Sequence, residues 1–150
     1  MKAFRAFLLI LFYMVPTKSY LKDLTYRVTG AAIEVHKRLG AGLLESVYHK
    51  CLAKELEIRG INHLSEYKVP FNYKGHDVNV DLRCDFLIEG MLVVEIKSVE
   101  KFIPIFDAQL LTYMKLLEVP KGLLINFNVD NLYAKGHKTL VNELFRELID

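Results

Sequence analysis

Cysteine is scarce: the chain has only Cys51 and Cys84, with no metal-ligand spacing between them. That excludes a disulfide scaffold and a cysteine-built zinc site. Both fall on the apolar faces of predicted elements, a helix and a strand, and read as buried free thiols in a reducing compartment, here the cytoplasm. The histidines (His36, His49, His63, His76 and His137) form no cluster with ligand spacing. There is no glycine-rich phosphate loop, no Ser-His-Asp set and no CxxC pair, so no small-molecule cofactor is expected. Net charge is only +2, with lysine and arginine scattered. A polyanionic partner is compatible with that balance, but steering one requires local charge. No internal repeat and no linker is present.

Long apolar runs are also lacking, apart from Ala6 to Val15, which is too short to span a bilayer. Lys2 and Arg5 precede it, and Pro16 and Thr17-Lys18-Ser19 follow. Three readings stand: a short signal peptide with a mediocre cleavage site, an apolar arm attached to the domain, or residues upstream of a start at Met14. As an arm, residues 1–15 would offer surface to a membrane, to a second copy of the chain, or to nothing in particular. Residues 1–19 are therefore set apart from a domain spanning 20–150.

What is present is one globular domain of 150 residues, 52% hydrophobic and 25% charged. Its organising stretch is His76 to Lys97, HDVNVDLRCDFLIEGMLVVEIK. Val78, Val80, Leu82, Cys84, Phe86 and Ile88 alternate with Asp77, Asn79, Asp81, Arg83 and Asp85, the pattern of a half-buried strand. Leu92, Val94 and Ile96 alternate with Glu95 and Lys97 on a second strand. The two apolar sets share a face only if partners have residue numbers of even sum. This predicts a three-residue turn Glu89-Gly90-Met91, with Ile88 opposite Leu92 and Asp85 opposite Glu95. Two facing carboxylates repel. Either Lys97 and Arg83 neutralise them, as on an ordinary surface strand, or a divalent cation sits between them. Asp, Glu and Lys converging on one sheet edge is the donor set for metal-assisted phosphodiester hydrolysis.

Elsewhere the pattern predicts a helix from an Asp23 cap to Leu39, with Leu24, Val28, Ala32, Val35 and Leu39 inward. A second helix runs over 43–59 with Leu44, Val47, Cys51, Leu52 and Leu56 inward. A first strand carries Val69, Phe71 and Tyr73, and Pro70 makes it an edge or irregular strand. Asp107 caps a third helix through Leu117. GLLINF, 122–127, reads as a buried parallel strand, and Thr139 to Ile149 as a closing helix. The predicted class is α/β, a central mixed sheet flanked by helices. Glu45 lies in the first turn of the second helix, where a carboxylate is also favoured by the helix dipole alone. Gln109 and Tyr113 form an i, i+4 pair, the spacing of an ordinary helix face as well.

Gly42-Leu43-Leu44-Glu45-Ser46-Val47-Tyr48 is a GxxExxY string, and it follows GAAIEVHKRLGAG. With CDFLI, VVEIKSVEK, AQLLTYMKLL and GLLINFNV, the chain resembles, over about residues 20–142, the GxxExxY protein family of the PD-(D/E)XK, restriction-endonuclease-like nuclease superfamily. The resemblance implies an αβββαβ core and Mg²⁺-dependent DNA hydrolysis, with Mn²⁺ as a substitute. Asp85 and Glu95 would be the metal-binding acids and the Ile96 carbonyl a further ligand. Lys97 would orient the attacking water or stabilise charge on phosphorus. Glu45 would reach the metal through water, and Gln109 and Tyr113 would contact the phosphate backbone. Phe106 stands where related sequences often carry histidine. A non-catalytic nucleic-acid- or protein-binding module, an accessory subunit keeping the fold, is the alternative. The expected partners are nucleic acid, DNA first, and a homodimer mate.

Overall fold

The computed structural model describes residues 2–3 and 15–150. The readings placed on residues 4–14 lie outside the described residues. Helix α1 spans Lys18–Leu39 and α2 Glu45–Ile58. Strands β1 (His63–Lys68), β2 (Arg83–Ile88) and β3 (Leu92–Lys97) follow. Next come α3 (Pro104–Leu116), β4 (Lys121–Asn126), a short α4 (Leu132–Lys135), β5 (His137–Val141) and a short α5 (Glu143–Arg146). The five strands form one mixed sheet in the order β1-β2-β3-β4-β5, with only β3 and β4 parallel. Among the described residues no helix is long and apolar enough to cross a membrane.

Two apolar cores lie on the two faces of this sheet, as strand alternation requires. Helices α1 and α2 bury Leu21, Leu24, Val28, Val35, Leu52 and Leu56 against Phe86, Ile88, Leu92, Val94, Ile96, Leu123 and Ile125. Helix α3 buries Leu110, Tyr113 and Met114 against Leu87, Val93 and Leu124. Strand β4 is covered on both faces, which is why its sequence is a continuous apolar run. Gly122 permits the close approach of α3. A Cβ there would meet the Met114 Sδ at 2.7 Å and Leu110 methyl carbons at 2.9 Å.

The predicted register is the observed one: Ile88 pairs with Leu92, Leu87 with Val93 and Phe86 with Val94. Glu89 and Gly90, at φ 51° and 69°, make the turn between them. Several boundaries differ from the sequence reading. Helix α1 starts at Lys18, ahead of Asp23, because the Thr17 side chain accepts from the Tyr20 N–H at 3.0 Å. Asp23 instead pairs with Arg27 one turn on.

On α2 the inward face carries Tyr48, Leu52 and Leu56, while Leu44 is 75% exposed and Val47 38%. Strand β1 lies over His63–Lys68 and leaves Phe71 and Tyr73 in solvent. β2 begins only at Arg83, and Val78 and Val80 are exposed. Helix α3 starts at Pro104 with Ile103 as its cap, and Asp107 sits in the first turn, paired with Lys138 of β5. The closing helix predicted over 139–149 is replaced by β5 and α5. The free edge of β4 recruits residues 137–141, overriding the helical spacing of Leu140, Leu144 and Leu148.

Candidate active site

The β2–β3 ladder stops at Phe86 and Val94, and the two strands part beyond that pair. On β1, Glu66 has φ 48°, and its pairing opposite Asp85 is skipped between Ser65–Phe86 and Tyr67–Cys84. Cys84 joins the α3-side core instead of sharing the Phe86 face, against the alternation read from the sequence. Parting strands leave backbone groups without ladder partners, and two carboxylates take them up. The Asp85 N–H donates to Glu95 Oε1 at 2.9 Å, and the Ile96 N–H donates to Asp85 Oδ2 at 2.8 Å. Asp85 and Glu95 are thus brought together as the even-sum register demands. A strand residue turns its N–H and C=O to the same side, so the Ile96 carbonyl faces this gap as well.

The electrostatics follow from that geometry. Glu95 is 5% exposed. Its carboxyl is pushed up to about 8, first by burial and then by the neighbouring Asp85, with the Asp85 N–H and Lys97 opposing. Neither candidate counter-ion closes on the pair. Arg83 is engaged by Asp81 at 2.9 Å and by the Glu66 carbonyl at 3.2 Å. The Lys97 Nζ lies over the Phe106 ring, 4.7 Å from its centroid. Phe106 therefore occupies the lysine's flank. Cys84, lifted to about 12 by burial and the two acids, stays a thiol and offers no nucleophile.

Glu45 reaches this crevice from α2, and the GxxExxY string explains how. Gly42 takes φ 97°, a conformation that a side chain would strain, and turns the chain into the helix. Tyr48 is fully buried, stacked on Phe127 at 4.5 Å between centroids. Its hydroxyl donates to the Gly40 carbonyl at 2.5 Å and accepts from the Leu43 N–H at 3.2 Å. Ser98 Oγ ties the Leu43 carbonyl to the segment after β3 at 2.8 Å. Glu45, held at the start of the helix, has its carboxyl raised by partial burial and then by Asp85, while Lys97, a Ser98 backbone hydrogen bond and His49 oppose. From α3, Gln109 Nε2 donates to the Tyr113 hydroxyl at 3.2 Å. That hydroxyl is raised by burial, lowered by Gln109, and raised again by Glu95 and Asp85, so Tyr113 stands near the acids on the α3 side of the sheet.

Two residues beside the acids were given no role from the sequence, although His49 lies one turn from Glu45 on the same helix face. His49 stacks on Phe86 at 4.4 Å between centroids, and its Nε2 lies 3.3 Å from the Asp85 carbonyl. Asn126, opposite Lys97 in the β3–β4 register, is buried. Its Oδ1 accepts from the Val99 and Asn128 N–H groups at 3.1 Å, and its Nδ2 donates to the Val99 carbonyl at 2.9 Å. It fixes the chain leaving Lys97. The available signal was an asparagine inside an otherwise apolar run. Asp81, bound to Arg83, and Asp77, whose Oδ1 accepts from the Asn79 N–H, stand apart from the acids. Among the described residues no three His, Cys, Asp or Glu side chains gather closely enough to hold a metal ion by themselves. The oxygen donors on offer are the Asp85 and Glu95 carboxylates and the Ile96 carbonyl.

A mixed five-stranded sheet between helices, parted at its central hairpin around two acids, is the restriction-endonuclease-like fold. Residues 22–139 match the family model of the PD-(D/E)XK nuclease superfamily, and the chain belongs to that superfamily. No curated protein and no solved structure matches it.

Proposed function

We propose that this domain is a nuclease that hydrolyses DNA phosphodiester bonds with Mg²⁺, for which Mn²⁺ can substitute. One observation carries the reading: two adjacent carboxylates, one of them buried, are left without a paired cation by Arg83 and Lys97. Burying like charges is costly unless a cation offsets them, and hard carboxylate and carbonyl oxygens suit Mg²⁺. The donor set therefore fits the ion: Asp85, Glu95 and the Ile96 carbonyl would hold it, with water and substrate oxygens completing the shell. The bound ion would lower the pKa of a coordinated water and polarise the scissile phosphate.

The chain's own residues divide the remaining work. Lys97, an ammonium on the same strand as Glu95, orients the attacking water or offsets charge developing on phosphorus. Glu45 bonds water at the margin of the site. Gln109 and Tyr113 hold the phosphate backbone alongside α3. We place the chain with the GxxExxY proteins of the superfamily on the string that sets Glu45. Both cysteines are free thiols, which suits a cytoplasmic enzyme.

The test is hydrolysis of linear, branched and single-stranded DNA and of RNA with Mg²⁺ or Mn²⁺, comparing wild type with Lys97→Ala and Glu95→Gln. Metal-dependent cutting that both substitutions abolish is the expected result. Binding without cutting under every condition would favour a non-catalytic module that keeps the fold.

A further inference from the structure

Between β1 and β2 the chain makes an excursion, residues 69–82, that contributes no strand to the sheet. Its base is fixed: Val69 is buried, and its N–H donates to the Leu82 carbonyl at 2.7 Å next to the Lys68–Arg83 pair. Its tip is also built. Tyr73 and His76 exchange both backbone hydrogen bonds, at 2.8 and 2.9 Å, around Lys74 and Gly75, whose φ values are 50° and 81°. The Asn72 side chain accepts from the Gly75 N–H at 3.2 Å. The excursion is thus a shaped arm. Yet Phe71, Tyr73, Val78 and Val80 are all exposed, a concentration of apolar surface that a simple solvated connection does not need.

Position and charge narrow what this surface meets. β2 runs antiparallel to β3, so the end of β2 from which the arm springs is the end of β3 that carries Glu95 and Lys97. Tip residues 71–76 hold Lys74 and His76 and no carboxylate. The Lys74 Nζ lies 5.5 Å from the Tyr73 ring centroid, so cation and ring present together. Of the acids on the arm, Asp81 is bound by Arg83 and Asp77 by the Asn79 N–H.

Resting on the nuclease reading of the neighbouring acids, we propose that this arm is a grip for single-stranded DNA. Phe71 and Tyr73 stack on unpaired bases, and Lys74 meets a phosphate. A duplex hides its base faces within its own stack, whereas a single strand offers them to aromatic side chains whatever the sequence. The arm then selects substrates with an unpaired stretch beside the bond to be cut.

Binding is measured by fluorescence anisotropy with labelled oligothymidine and a labelled mixed-sequence duplex, in the Glu95→Gln background so that nothing is cut. Phe71→Ser/Tyr73→Ser should weaken oligothymidine binding about tenfold or more for each ring, and Phe71→Leu/Tyr73→Leu, which keeps apolar bulk without a ring face, should do nearly the same. Both variants should keep the parent melting temperature. With Glu95 restored, both should hydrolyse bis(p-nitrophenyl) phosphate at the wild-type rate, since that small diester needs only the acids, Lys97 and the metal.

Equal affinity of the parent for single strand and duplex overturns the proposal, as does unchanged oligothymidine binding by the arm variants. A wild type that hydrolyses the small diester but binds no oligothymidine overturns the arm and spares the site. A wild type that binds oligothymidine through Phe71 and Tyr73 but hydrolyses no diester spares the arm and sinks the nuclease reading.

Discussion

Glu95→Gln should make the metal-free protein more stable at neutral and alkaline pH, and the gain should vanish in acid. The substitution keeps the side chain's shape and an oxygen to accept the Asp85 N–H, and it removes only the charge. In the folded chain the Glu95 carboxyl is raised from 4.5 to about 8, by burial and by Asp85. A raised acid binds its proton more tightly folded than unfolded, so the stability it confers is complete below the unfolded value. It drains away as pH rises from 4.5 to about 8. Between pH 5 and pH 8 that linkage removes about 3 kcal/mol from the wild type and nothing from the glutamine variant.

For a chain of this length about 3 kcal/mol is a difference of roughly 6–12 °C in melting temperature. Thermal unfolding in chelator, at several pH values between 5 and 8, measures it directly. Groups away from the pair shift both proteins alike, so the quantity to read is the gap between the two curves. Glu45, raised in the same direction, is present in both. Parallel curves would refute the reasoning: Glu95 would then ionise in the folded chain without penalty, and the argument that the pair awaits a cation would lose its basis.

Added Mg²⁺ or Mn²⁺ should raise the wild-type melting temperature at pH 8 by several degrees, since a site half-filled at about 1 mM gains about 1.4 kcal/mol at tenfold that concentration. Glu95→Gln should lose most of that response, and an unchanged wild type at millimolar metal would count against the site. Tyr48→Phe keeps the stack on Phe127 but drops the hydroxyl bonds to Gly40 and Leu43. It should cost about 1–2 kcal/mol in denaturant melts and cut nuclease rate by loosening Glu45. Gly122→Ala, with Met114 Sδ 2.7 Å from the new Cβ, should cost about 1–3 kcal/mol in the same assay. Asn126→Leu leaves the Val99 N–H and C=O without their side-chain partners and should destabilise by about 1–3 kcal/mol, with Lys97-dependent turnover falling alongside.

Which of these residues could be read from the sequence depended on how far away their partners lie. The Asp85–Glu95 pairing was legible because alternation on two neighbouring strands and a short turn leave one register in which both apolar sets are buried. β4 was legible because only a strand covered on both faces tolerates so continuous an apolar run. The arm was not, since Val78, Val80 and Leu82 alternate like a strand and a period of two says nothing about whether a partner strand is there. Cys84 changes face where the β1–β2 pairing skips Glu66 and Asp85, an irregularity that strand alternation does not announce. Tyr48 turned inward because Phe127 and the Gly40 carbonyl, far from it in sequence or set by a turn, complete its surroundings.

β5 formed where the spacing of leucines suggested a helix, because an open edge of β4 had backbone groups to satisfy. The same demand shapes the site itself. Where β2 and β3 part, the unpaired N–H groups of Asp85 and Ile96 are met by the acids, so the parting of the strands and the placement of the carboxylates are one structural event.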